Sequence, residues 1–388
     1  MPSLPPRASA ALPTRAIHLR ERGDASRSIS FSGNQTLGER ARLLSGCHGP
    51  TKCGYLASSG FDEMAREVRR HEERAACELV VLTAIFGCKD KLQQPELELP
   101  HMRSCFFAIV DEGSRDYLRR TAPRHAEVGR NRVGAWQLLT LQPPGPYGSA
   151  RRNSRVPKLL PFRLFSRANY SLWIDGKLRL RVDPMEMVRR YLLRTGAALA
   201  AARNLKRDHI DEEHAWIGRN LCGGDDARKI DPAACEAVEA QWRFYLAEQR
   251  EDRQRRAQLP PPVQQSASQQ PAAATDGGGN EESLGWARQT TCAEGAMLLV
   301  RLRSAAAQCV LCAWFNEWDR FAERDQLALS YVLHALGVRR TDTGADGVYL
   351  WPRAEHWNAK PKPGQPKPWR YVAYRGHSGT ESGSCDER

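Results

Sequence analysis

Apolar and polar positions change period along the chain, and the changes outline alternating strands and helices. The segment FDEMAREVRRHEERAA sets apolar residues at helical spacing among charges, which predicts an amphipathic helix. A shorter helical run, TLGERARLL, precedes it across a Cys/Gly/Pro break. Four runs, at 77–87 (CELVVLTAIFG), 105–112 (CFFAIVDE), 135–141 (AWQLLTL) and 170–180 (YSLWIDGKLRL), are then apolar with β-branched or aromatic residues. Strands of a parallel sheet covered on both faces look like this, because neither face alternates with water. Between the third and fourth runs, VPKLLPFRLF (156–165) predicts a short helix with Pro157 in its first turn. Asp183 and Pro184 open a helix through MEMVRRYLLR, and another covers 232–250. Residues 295–303 predict a strand, 310–318 a further strand, and RDQLALSYVLHALG a helix from about Arg324. The alternation predicts an α/β fold: a Rossmann-like, mostly parallel sheet flanked by helices.

Punctuation divides the 388 residues into one large domain and its surroundings. Residues 1–35 read as a disordered or targeting tail and 36–75 as a helical extension. The main domain spans 76–340, and 341–388 form a basic Pro/Lys/Trp-rich tail that also reads as disordered. Inside the domain, 251–283 is a low-complexity insert of Pro, Gln, Ala, Gly and Ser that cannot bury enough apolar surface to fold. The Arg- and Ala-rich start resembles an organelle transit segment as much as a plain tail, and it lacks the apolar core of a secretory signal. No stretch approaches the roughly 20 apolar residues of a membrane span.

The formal charge of +13 would attract polyanions or phosphorylated small molecules. Much of it sits in the ends, and no zinc-finger, RNA-binding or basic-heptad signature accompanies it, so nucleic acid is not the expected partner. The 11 cysteines form no dense framework. Cys88, Cys105, Cys309 and Cys312 lie in apolar runs and read as buried free thiols. Cys47 and Cys53 flank a Gly/Pro turn and could pair in an oxidising compartment.

In open α/β sheets ligands bind at the carboxyl ends of the strands, so acids placed there carry the interest. The sharpest group is Trp173-Ile174-Asp175-Gly176-Lys177. In sugar-nucleotide transferases a carboxylate at such a strand end holds a divalent metal, the ribose or the diphosphate. Here a lysine stands where a second acid is usual, and an ammonium can neutralise a diphosphate directly. The bland alternative is an ordinary turn with a surface lysine. A second group is Trp314, Asn316 and Glu317, followed by Arg324, Asp325 and Gln326. Glu317 among aromatics suits an acid, a base or a sugar-hydroxyl ligand, with core packing as the alternative. Asp325 suits either chemistry or the start of a helix. Arg203, Lys206 and Arg207, and Lys158 with Arg163, are candidate phosphate grips or solvated charges. Nucleophile-elbow, zinc-protease, kinase, G-x-G-x-x-G and Walker motifs are all missing from the chain.

Taken in order, TAIFGCKDKLQQP, CFFAIVDE, VPKLLPFRLF, YSLWIDGKLRLRVDP, RNLKRDHIDEE, EAQWRFYL and CAWFNEWDRFAERDQLALSYVL resemble one plant and algal family. It is the glycosyltransferase-like domain family of the mucilage-related and turgor-regulation-defect type, and the resemblance covers about 76–340. It implies a GT-A-like fold and transfer of a sugar from a nucleotide-sugar donor to a polysaccharide or glycoprotein. Under it, Asp175, Glu317 and Asp325 become the catalytic candidates. Lys177, Lys158, Arg203, Arg207 and Arg324 face the donor diphosphate, and Trp173, Trp314, Asn316 and Gln326 face the sugar or acceptor. Asp175 would hold Mn2+ or Mg2+ if the chemistry uses a metal, and Lys177 would serve if it does not. Many family members resemble Golgi membrane proteins, so Golgi residence is one expectation; an organelle or the cytoplasm is the other, because this sequence shows no anchor. The family's histidine after the Lys-Leu-Leu motif is Phe162 here, and Arg303 stands near another of its histidines. The family also raises ceramide hydrolysis and a non-catalytic binding role as competing readings.

Overall fold

The computed structural model describes residues 60–96, 104–142, 145, 147–223, 232–258, 285–321, 324–335, 347–351 and 372–374. The expected 1–35 tail, the TLGERARLL run, Cys47 and Cys53 lie outside the described residues. The first helix, α1 (Phe61–Ala75), buries Phe61, Met64 and Val68 at helical spacing. Its buried Glu72 accepts hydrogen bonds from the backbone N–H groups of Arg167 and Ala168, which ties the helix to the loop just before Tyr170.

A nine-stranded sheet forms the centre. In chain order its strands are β1 (Leu79–Ile85), β2 (Ser104–Val110), β3 (Val128–Gly129), β4 (Arg132–Val133), β5 (Trp136–Thr140), β6 (Tyr170–Ile174), β8 (Leu199–Arg203), β9 (Ala293–Arg301) and β10 (Val348–Trp351). Across the sheet they run β10-β8-β9-β6-β1-β2-β5-β4-β3. β1 is parallel to β2 and β6, β2 to β5, and β10 to β8; β9 is antiparallel to β6 and β8, and β4 to β3 and β5. Only β9 and β4 therefore oppose the common direction, so the sheet is mostly parallel. Alternate residues of β1 enter different cores: Val80 and Leu82 face one, Leu79 and Val81 the other. Both faces are buried, which is why the run is apolar without alternation.

Helices cover the sheet: α2 (Glu112–Arg120), α3 (Ala150–Leu159), α4 (Pro161–Leu164), α5 (Pro184–Val188), α6 (Ile210–Leu221), α7 (Pro232–Gln258), α8 (Gly285–Gln289), α9 (Ala305–Arg320) and α10 (Asp325–Ala335). The acid at the end of β2 is explained here. Asp111 caps α2 by accepting from Ser114 N–H and holds the turn after β1 by accepting from Gly87 N–H.

Several expectations need correction. Residues 310–318 belong to helix α9, not to a strand; Ser304 caps it by accepting from Ala307 N–H. It is buried on nearly every side, so the one-sided pattern that marks a surface helix is missing. The 170–180 run is two strands. After β6 the chain turns, with Leu178 N–H bonded to the Asp175 carbonyl, and β7 (Leu178–Leu180) pairs with β11 (Val372–Tyr374) in a second sheet. Pro157 sits late in α3, whose cap is Ser149, and Pro161 opens α4. Helix α7 runs to Gln258, so the first residues of the low-complexity stretch are helical, and the rest lies outside the described residues. The tail beyond 340, expected to be irregular, contributes edge strand β10 and strand β11.

The free-thiol reading also fails. Cys77, just before β1, and Cys105 in β2 form a disulfide, with their Cα atoms 5.6 Å apart. A second disulfide, Cys222–Cys235, joins the end of α6 to α7. Cys88, Cys309 and Cys312 are disulfide-bonded as well.

Candidate functional site

Three strand ends meet at one edge of the sheet. β6 delivers Asp175 and β8 delivers Asn204, and because β9 runs antiparallel between them its beginning, Cys292 to Gly295, lies at the same edge. The backbone shows the meeting directly: Asp175 N–H bonds the Ala296 carbonyl, and Asn204 N–H bonds the Cys292 carbonyl, both at 2.9 Å.

Asp175 is held on both oxygens. Trp173 donates its indole N–H to Oδ1 at 3.0 Å, and the Lys177 ammonium lies 3.4 Å from Oδ2. Both charged side chains remain about one-fifth exposed, at 23% and 22%. Gly176 between them sits in a tight space. A Cβ there would lie 3.2 Å from the Cβ of Asp90 and 3.3 Å from Ile85, so the turn packs against the end of β1.

Behind this pair lies a buried cation. Lys158 of α3 is 4% exposed and forms an ion pair with Asp325, the first residue of α10. Its ammonium stands 5.3 Å from the ring of Trp314 and 5.9 Å from that of Trp173. Trp314 donates its indole N–H to the Asp325 carbonyl. A Cβ on Gly295 would come within 2.7 Å of the lysine nitrogen, so the glycine leaves room for the ammonium. Burial alone would raise the Asp325 carboxyl, but Lys158 and then Arg155, 3.6 Å away, hold it well below the usual carboxylate range.

On the β8 side, Asn204 accepts from the N–H groups of Lys206 and Arg207 at 2.9 and 3.0 Å. The same amide donates to Glu294 Oε2 at 3.1 Å. Arg207 pairs with the buried Glu213 of α6 and lies 4.6 Å from the ring of Trp216. Arg324 approaches the same ring to 5.6 Å. Gln326 donates to Glu213 at 3.4 Å and contacts the buried Cys292 thiol at 3.7 Å. Burial, then the neighbouring Asp175, push the Glu294 carboxyl up to about 7, partly opposed by Lys177. Burial likewise raises Glu213, against the attraction of Arg207.

The shift of Glu294 has a measurable consequence. Its folded value exceeds the ordinary 4.5, so the folded protein holds that proton more tightly than the unfolded chain. The associated stability is complete below about pH 4.5 and is lost as the pH rises through about 7. Above that, the enclosed carboxylate costs on the order of 2 kcal/mol, after discounting for its partial exposure. Glu294→Gln is expected to raise the melting temperature at pH 8 and to leave it nearly unchanged near pH 4.5. An equal margin at both pH values, read by thermal unfolding, would refute this.

The edge thus gathers Asp175, Lys177, Trp173, Lys158, Asp325, Trp314, Arg207, Arg324 and Gln326. Several roles inferred from sequence do not fit their positions. Glu317 is 1% exposed and accepts a hydrogen bond from the Tyr245 hydroxyl at 3.2 Å, an enclosure from which it does not reach a substrate. Lys158 and Asp325 neutralise each other inside the protein, so neither faces a diphosphate or an acceptor. Trp173 and Trp314 are buried and offer no sugar-stacking face; the part-exposed Trp216 carries Arg207 and Arg324 over its ring. Arg203 bonds Asp208 at 3.4 Å, and Asn316 lies part-buried on α9. Sequence reading missed Glu294, because it searched the carboxyl ends of strands and Glu294 begins an antiparallel one. The signal was present as an acid followed by glycine at the head of an apolar run.

With this geometry in view, the comparisons are specific. Residues 17–246 and 281–344 match the family described as TOD1/MUCI70, glycosyltransferase-like domain. The chain belongs to that family. It is similar to the Arabidopsis thaliana protein described as "Probable hexosyltransferase MUCI70", 32% identical over 296 residues, which cover 74% of this chain and 43% of that protein. It is also similar to "Alkaline ceramidase TOD1" of the same plant, 28% identical over 177 residues, covering 43% of this chain and 36% of that one. The chain therefore spans less than half the length of these relatives. Among solved structures, the WbbM bifunctional glycosyltransferase in its apo form covers 70% of this chain and 38% of its own, at 10% identity and a TM-score of 0.34. Mouse xyloside xylosyltransferase 1, also apo, covers 71% and 84%, at 10% identity and 0.31. Scores this low do not define a common fold.

Proposed function

We propose that the chain is a GT-A-type glycosyltransferase domain that moves a hexose from a nucleotide-sugar donor to a glycan acceptor. One observation carries the reading: a part-exposed acid–lysine pair, Asp175 and Lys177, at the carboxyl end of a central strand, fixed from behind by Trp173. Family membership and the name of the hexosyltransferase relative support it. Lys177 meets the charge that grows on the leaving diphosphate, and Arg207, backed by Glu213, adds a second cation on the β8 side. Asp175 orients Lys177 and accepts from the donor's ribose. Among the described residues no group of three or more His, Cys, Asp or Glu gathers at one point. The fit for Mn2+ or Mg2+ is accordingly Asp175 together with the donor's own phosphates, a familiar pattern for Mg2+. A bound ion would supply Lewis-acid assistance to the leaving group. The disulfides support maturation in an oxidising compartment, in line with Golgi residence.

The test is donor binding. The full chain is screened by thermal shift against UDP- and GDP-hexoses, with and without Mn2+, beside Asp175→Ala. A donor at 100 times its dissociation constant adds about 2.7 kcal/mol, an easily read shift. A shift lost in the variant is the expected result, and a shift independent of Mn2+ assigns the diphosphate to Lys177. No shift with any donor, together with turnover of a ceramide, would replace this reading with the activity named for the second relative.

A further inference from the structure

We propose that Glu294 is the general base of the transfer, the group that takes the proton from the acceptor hydroxyl; the proposal rests on the transferase reading above. Its neighbours make the case. Four carboxylates at this edge each face a cation: Asp175 faces Lys177, Glu213 faces Arg207, Asp325 faces Lys158 and Asp208 faces Arg203. A carboxylate locked to a cation is a poor base, because the ion pair stabilises its charged form. Glu294 has no lysine or arginine within ion-pair distance among the described residues. Its oriented contact is the neutral amide of Asn204, 3.1 Å from Oε2.

That amide is itself set. The Asn204 carbonyl oxygen accepts the Lys206 and Arg207 N–H groups, which turns its NH2 toward Glu294. One oxygen is thereby fixed, and Oε1 of the part-exposed residue is left as the candidate proton acceptor. The site groups around Glu294 are Asp175 and Lys177 after β6, Arg207 after β8 and Glu213 on α6, together with the thiol of Cys292. Lys177 lies on the β6 side and Asn204 on the β8 side, so a donor bound along the edge places its anomeric carbon between the leaving-group cation and the base. A base aligned this way contributes about 100-fold to 10,000-fold.

In the step, the acceptor O–H proton passes to Glu294 Oε1 as the acceptor oxygen forms a bond to the anomeric carbon. The bond from that carbon to the donor diphosphate breaks, and its electron pair leaves on the diphosphate oxygen beside Lys177. The proton later returns to water. Attack opposite the leaving group inverts the anomeric configuration.

The experiment compares the wild-type chain, Glu294→Gln and Glu294→Asp. It uses UDP-hexoses as donors and p-nitrophenyl hexosides as acceptors, and reads donor thermal shift, kcat and product configuration by NMR. The expected result is an unchanged donor shift, an inverted product, a loss of at least about 100-fold in kcat for Gln, and partial recovery for Asp. A Gln variant that keeps more than a tenth of the rate, or a product of retained configuration, overturns the base assignment and leaves the transferase reading standing. A wild-type chain that neither binds nor transfers from any donor overturns both.

Discussion

Lys158→Met is expected to destabilise the protein by about 3 kcal/mol, at the lower end of the 3–5 kcal/mol range for breaking a buried ion pair. The lysine is almost wholly buried, and its partner Asp325 is buried too. Removing the ammonium leaves a carboxylate enclosed by Trp314, with Arg155 at 3.6 Å. That arginine, and the positive end of α10, soften the penalty without cancelling it. The pair stabilises the fold only while Asp325 is ionised. Its carboxyl is held low in the folded state, so this stability is present above the ordinary carboxylate value and is lost as the pH falls. The gap between wild type and variant should therefore narrow in acid. Urea unfolding at pH 7 and pH 3.5 checks both statements. A double variant, Lys158→Met with Asp325→Leu, should regain most of the loss, because a well-packed apolar pair avoids the buried charge. A single-variant cost below about 1 kcal/mol would mean that solvent reaches this pair.

Asp175→Asn is expected to lower the transfer rate by about 100-fold to 1,000-fold, the scale on which a preorganised electrostatic group acts. Asparagine is isosteric and still accepts from the Trp173 indole, but it cannot hold the Lys177 ammonium by charge. Stability should change by less than about 1 kcal/mol, because a part-exposed ion pair contributes little to folding. The two readouts are expected to split: Lys158→Met lowers stability, and Asp175→Asn lowers the rate. Parallel steady-state kinetics and thermal unfolding decide it. An Asp175→Asn enzyme with near-normal kcat and a raised KM would make the residue a uniform binder of donor.

The strands that host the site were legible in the chain wherever their burial was two-sided. β1, β2, β5 and β6 announce themselves through unbroken apolar runs, and Asp175-Gly176-Lys177 marks the end of β6. β8 escaped notice because its LAAAR sequence is alanine-rich, and alanine carries little strand preference. Helix α9 was mistaken for a strand for the opposite reason, since a helix buried all round loses its stripe. The glutamate most exposed to misreading was Glu317, whose aromatic neighbours suggested an active site and turn out to be core.

What the sequence by itself determined is the class of fold, the family and the acid–lysine turn at the carboxyl end of a central strand. These are local properties: hydrophobic period, turn chemistry and motif order are written along the chain. Which charges meet was decided only in three dimensions. Lys158 finds Asp325 across 167 positions, Asn204 finds Glu294 across 90, and Glu294 reaches the edge only because its strand runs backwards between two others. Ionisation depends on burial and on neighbours brought from distant segments, and those are set by packing; the same residue types form a part-exposed ion pair, a buried staple or a carboxylate with a raised pKa according to where the sheet puts them.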